Sequence, residues 1–204
     1  MSELILRNRQ RAHSVNLPLL RRVALALLAE LFGPENHELG VYLVAAPEMM
    51  RLNERFLNHQ GSTDVITFDY SEKARRASRR SAGGSSGRPG ARLALRGEIF
   101  ICLDEAVAQA RRFRGTWQSE LVRYLVHGVL HLRGYDDSKP AARRAMKRQE
   151  TRLLRRLAGG FPLQQLAKSR SSARRAALES GIAKRKLPPR FPLSKPVRKP
   201  KVRP

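Results

Sequence analysis

The stretch from Trp117 to Gly134, WQSELVRYLVHGVLHLRG, constrains the fold more than any other. It is apolar on nearly every side of a helix, so this helix belongs inside the protein and not on its surface. It carries two histidines, His127 and His131, four residues apart. Positions i and i+4 lie above one another a turn apart, so both imidazoles project from one side. The helix stops at Gly134, a residue suited to the left-handed position that follows a helix C-terminus. The chain then turns through Tyr135 and Asp136 to Asp137, which can return a carboxylate to the same side.

A buried helix needs other layers around it, and the rest of the chain supplies them. LILRNRQ at 4–10 reads as a strand, and LPLLRRVALALLAELFG at 17–33 as an amphipathic helix stopped by Gly33 and Pro34. HELGVYLVA at 37–45 is a strand, and APEMMRLNERFLNHQG at 46–61 a helix ending near Gly61. The β-branched TDVITFDYSE at 63–72 and LALRGEIFICL at 93–103 are strands. Between them, 71–92 is rich in Arg, Gly and Ser and reads as a flexible insertion, either a nucleic-acid contact or a tolerated loop. Helices at 103–115, 117–134 and 140–160 close the domain. Strands and helices alternate early and helices follow. This predicts an α/β fold of α+β type, a single mixed sheet with helices packed on it.

Residues 1–160 form the expected folded domain. From Phe161 to Pro204 there are thirteen Lys/Arg against one acid, Glu179, and many prolines. Such a segment buries too little apolar surface to offset chain entropy, so 161–204 is expected to be a basic, largely disordered extension. The whole chain has a formal net charge of +24, which favours polyanionic partners, RNA foremost. Cys102 is the single cysteine, which excludes a disulfide framework and a Cys-rich zinc module within the chain. The first residues, MSELILRNRQRAH, hold no long apolar run and no stretch of 18 apolar residues exists, so a cytoplasmic protein without a membrane span is expected.

Two histidines and a carboxylate around one ion make a catalytic pattern, because three protein ligands leave a fourth position for water. The spacing alone leaves other readings open. Histidines on an apolar helix are often satisfied core residues. Asp137 or Ser138 also reads as an N-cap, with Pro140 in the first turn of the next helix. The residue after His127 is Gly128, where a His-Glu-x-x-His peptidase would place its general base. A zinc-peptidase mechanism therefore lacks its key group.

HGVLHLRGYDD, His127 to Asp137, resembles the signature His-Gly-x-Leu-His-Leu-x-Gly-Tyr-Asp-His of the YbeY family of metal-dependent endoribonucleases, matching at ten of eleven positions. LNERFLNHQGSTDVITFDY at 52–70 and RGEIFIC at 96–102 resemble two further family segments in order and spacing. The resemblance covers about residues 1–160. It implies one zinc ion held by His127, His131 and, where the family usually has a third histidine, Asp137. It implies single-strand-specific cleavage in rRNA processing, with rRNA or a ribosomal subunit as partner and no DNA specificity or membrane. The family's usual arginine after the aromatic residue is Leu57 here, so another group has to act or the chain is a non-catalytic RNA-binding factor with a structural metal. His59 is a catalytic candidate. Glu98 matches an acidic family position and is expected to back a ligand histidine more than to catalyse.

Overall fold

A computed structural model describes residues 2–33, 37–71, 95–167 and 202–203. Of the Arg/Gly/Ser-rich stretch 71–92, all but Ser71 lies outside these described residues, as does most of the basic tail.

The elements run β1 (Glu3–Asn8), α1 (Leu17–Phe32), β2 (His37–Val44), α2 (Ala46–Phe56), β3 (Val65–Asp69), β4 (Leu95–Cys102), α3 (Leu103–Arg112), α4 (Trp117–Leu132) and α5 (Pro140–Gly160). A 3-10 turn at Leu163–Leu166 and a two-residue strand, β5 (Val202–Arg203), follow. The sheet order is β1-β2-β4-β3-β5. β1, β2 and β4 are parallel, while β3 runs antiparallel to both β4 and β5, so the sheet is mixed as the sequence predicts.

Strand alternation divides the core. Leu39, Val41, Leu43, Val65, Ile99 and Ile101 pack with α1, α4 and α5 on one face. Val44, Ile66, Phe68, Phe100 and Cys102 pack with Met49 of α2 on the other. α4 lies in the thick layer and buries ten of its sixteen residues, His131 among them. Its start is capped by Thr116, whose hydroxyl accepts from the Ser119 N–H at 3.3 Å. Truncating one of its fully buried leucines, such as Leu125, would cost roughly 2–5 kcal/mol.

Gly128 explains how this helix sits so close to the sheet. A Cβ built there would stand 2.9 Å from Ile99 Cγ2 and 3.3 Å from Thr67 Cγ2. Both of these neighbours are β-branched residues of the sheet, which have little room to turn away. The position after His127 thus faces the sheet, so a glutamate there would neither fit nor reach the histidines.

The folded part continues past the change in composition at residue 160. Leu163 and Leu166 are buried in the core between α1 and α4. The Asn16 N–H donates to Leu166 O at 2.8 Å, tying this turn to the start of α1. The start of α5 also differs from expectation. Pro140 is in its first turn, but the N-cap residue is Lys139 and makes no side-chain cap bond. Asp136, not Asp137, uses its carboxylate locally, accepting the Ser138 N–H at 3.0 Å and its hydroxyl at 2.7 Å.

Candidate metal centre

His127 and His131 stand one turn apart near the C-terminal end of α4. Their Nε2 atoms are 3.0 Å apart, with the rings nearly perpendicular. Asp137 Oδ2 lies 4.0 Å from His127 Nε2, and one donor atom from each of the three residues falls within 4.8 Å of the others. The turn delivers this convergence. Gly134 takes φ +100°, its N–H donates to His131 O and the Tyr135 N–H donates to Leu130 O. That paired closure ends the helix in a left-handed residue and folds the chain back toward the histidines.

The other nitrogen of each ring has a defined neighbour. His127 Nδ1 lies 3.2 Å from Glu150 Oε2 on α5, and His131 Nδ1 lies 3.2 Å from the carbonyl oxygen of Tyr135. A carboxylate and a carbonyl can only accept, so both Nδ1 atoms carry the proton. In the neutral rings both Nε2 lone pairs then point at one another, with a carboxylate oxygen nearby. Only a cation between them, a proton or a metal ion, makes that arrangement favourable. Donors about 2.1 Å from a tetrahedral ion stand roughly 3.4 Å apart, and the observed 3.0 and 4.0 Å straddle that edge length. The donor set fits a zinc-like ion.

Charge around the site follows from these neighbours. Burial pushes the His127 pKa down, but the Glu150 hydrogen bond and charge, with Asp64 and Asp137 nearby, outweigh it and hold the imidazole above its ordinary value. For Glu150, burial pushes up, while the hydrogen bond and charge of His127 and the Arg123 guanidinium outweigh it and hold the carboxyl below its usual range. Arg123 reaches Glu150 Oε1 at 3.2 Å.

Of the residues singled out in the sequence, the structure brings His127, His131 and Asp137 together. Glu98 is a correction. It sits on the opposite face of the sheet from α4, because its neighbours Gly97 and Ile99 are the β4 residues that meet Leu132 and Gly128. Its carboxylate accepts from Tyr42 Oη at 3.1 Å and Tyr70 Oη at 2.9 Å, and it backs neither histidine. Burial and the Glu98 charge push the Tyr70 hydroxyl pKa well up. His59 is exposed in the turn after α2, its N–H 3.4 Å from Asn53 O. Leu57 packs against the apolar cluster under α2.

The carboxylate behind His127 is Glu150, which sequence reasoning did not single out. A signal was present. Glu150 shares the buried stripe of α5 with Met146, Leu153 and Leu157, an acid where the helical period calls for an apolar residue.

Comparison with known proteins agrees with this architecture. The family model described as Endoribonuclease YbeY matches residues 6–158. A protein of Chlorobium phaeovibrioides named Endoribonuclease YbeY is 38% identical over 112 residues, 55% of this chain and 63% of that relative. One of the same name from Chlorobaculum parvum is 37% identical over 146 residues, 68% of this chain and 90% of that relative. A solution structure of a Thermotoga maritima protein superposes with a TM-score of 0.50 at 21% identity, covering 90% of this chain and all of the other, a likeness of fold.

Proposed function

The chain belongs to the YbeY endoribonuclease family, and we propose that it is a metal-dependent endoribonuclease cutting single-stranded RNA in the cytoplasm, in the course of rRNA processing. His127, His131 and Asp137 are its metal ligands and zinc is its metal. The observation that carries this reading is the convergence of three donor atoms within 4.8 Å, with both histidines held at their far nitrogens.

A zinc ion bound there supplies Lewis acidity toward a phosphate oxygen or a water. The chain's own groups prepare the place. Glu150 and the Tyr135 carbonyl hold the Nδ1 protons, which aims both Nε2 lone pairs and raises their basicity. Asp137 adds a negative charge to the donor set. Arg123 offsets the charge of Glu150 and keeps it ionised. A surface of net charge +24 draws the RNA backbone with little regard to sequence.

A second reading, an RNA-binding factor with a structural metal, has one observation in its favour. Leu57 stands where the family usually has arginine and packs into an apolar cluster, so no guanidinium acts from that position. Single-turnover cleavage of a defined rRNA fragment, with metal content measured on the same protein, separates the two. The enzymatic reading expects cleavage by the wild type with zinc and none by His131→Ala. RNA binding with bound metal but no cleavage by the wild type would favour the second reading.

A further inference from the structure

The turn joining α3 to α4 reads RRFRG, Arg111 to Gly115, and at its centre Phe113 is 68% exposed, against 37% for the next most exposed large apolar residues among those described. The ring is held outward. Arg114 adopts φ +54°, a left-handed backbone that a non-glycine residue takes at a cost, and the Gly115 N–H closes the turn onto Ala110 O at 2.9 Å. The Arg112 guanidinium lies 5.5 Å from the ring centroid. Phe113 borders a cleft of about 370 Å³ whose other walls are Asp64, Gln109, Glu120, Arg123, Tyr124 and Lys147. From Glu120 to His127 is seven residues of one helix, roughly 10 Å along its axis, so the cleft lies directly before the three-donor site.

We propose that Phe113 is a stacking platform for a base of single-stranded RNA, holding a nucleotide of the same strand whose phosphate is presented to His127, His131 and Asp137. The proposal rests on the endoribonuclease reading of that site.

Charge decides which part of the nucleotide enters. Inside the cleft, Arg123 is already paired with Glu120 and Glu150, each at 3.2 Å, and Asp64 adds a further carboxylate. The four charged walls, Asp64, Glu120, Arg123 and Lys147, sum to zero, so the cleft offers a phosphate no net attraction and suits a neutral base. Outside it, Arg111, Arg112 and Arg114 are exposed and suit a backbone running along the turn. Gln109 adds a neutral polar side chain to the cleft wall. An aromatic face stacks on any base that is not already paired, so this platform selects single strands over duplex.

The test is fluorescence anisotropy of a labelled octaadenylate, and of the same strand made abasic, on the full chain with a chelator present to prevent cleavage. Phe113→Ala should weaken octaadenylate binding about tenfold and Phe113→Trp should stay within about twofold of wild type. The salt slope should be the same in all three, because stacking releases no counterions. Wild type and Phe113→Ala should bind the abasic strand equally. Unchanged octaadenylate affinity in Phe113→Ala, or an equal loss on the abasic strand, overturns the proposal. Wild-type cleavage with zinc, measured separately, tells the two readings apart. Cleavage without a Phe113 effect overturns the platform alone, and a Phe113 effect without cleavage overturns the enzymatic reading alone.

Discussion

Glu150 Oε2 lies 3.2 Å from His127 Nδ1, so a carboxylate on α5 sets the tautomer and the aim of an imidazole on α4. The same carboxylate is held from its other oxygen by Arg123, one turn before His127 on α4. Removing it leaves His127 free to rotate and to place its proton on Nε2. Partners of this kind are worth about 10–100-fold in metal affinity. Glu150→Ala should therefore weaken zinc binding by that factor, and Glu150→Gln by less, because the amide oxygen can still accept the Nδ1 proton. Chelator competition on folded protein measures it. Equal affinity in Glu150→Ala and wild type would remove Glu150 from the centre.

Asp137 has its backbone oxygen engaged by Arg143 Nε at 2.9 Å, which holds the residue in place while its carboxylate faces His127. Imidazole and carboxylate both ligate zinc. Asp137→His should keep the metal and bind it at least as tightly, whereas Asp137→Ala should lose affinity. If chelator competition returns the same zinc affinity for the alanine variant and wild type, the site has only two protein ligands.

Without metal, the proton shared by the histidines takes the ion's place, and stability should follow it. The raised His127 pKa contributes stability that is fully present below the ordinary value of 6.5 and is lost as pH rises through the raised one. The lowered Glu150 pKa contributes stability present above the ordinary value of 4.5 and lost as pH falls through the lowered one. Chelated protein should thus be most stable between those two ordinary values. Zinc needs deprotonated imidazoles, so the gain in Tm on adding zinc should grow as pH rises from that window. Melting curves across pH, with and without zinc, check both slopes. A zinc-induced gain that shrinks with rising pH would contradict the assigned ligands.

How much of the fold and the site is legible in the sequence depends on how local each signal is. His127, His131 and the Gly134 turn are set within one helix and its C-terminus, so spacing alone places two imidazoles on one side. The element order and the mixed sheet follow from period and turn residues. Glu150 is 23 residues from His127, and its role exists only because α5 packs against α4. Glu98 is misread from sequence because β4 is buried on both faces. Where Phe100, Ile101 and Cys102 are all apolar, alternation does not reveal which side meets the histidine helix. Leu163 and Leu166 are hidden by the basic, proline-rich composition around them.

Those two leucines change where the chain can be cut. A chain ending at Gly160 lacks two buried side chains and the Leu166 oxygen that anchors Asn16, and should melt lower than the full chain. A chain ending at Ala167 keeps them and still removes all thirteen Lys/Arg of the tail. It also removes the two-residue pairing of Val202–Arg203 with β3, a small addition beside the core. It should therefore retain the Tm and zinc affinity of the full chain. Its binding to single-stranded RNA should weaken. Each phosphate that the tail no longer neutralises should flatten the slope of log affinity against log salt by about 0.7. Sequence preference should hardly move, since groups that bind the RNA backbone position the strand and do not read it. Anisotropy over a salt series with the full chain and the chain ending at Ala167 measures this. The same slope in both would mean that the tail neutralises no phosphates, and the RNA-binding charge would then have to come from residues before Lys168.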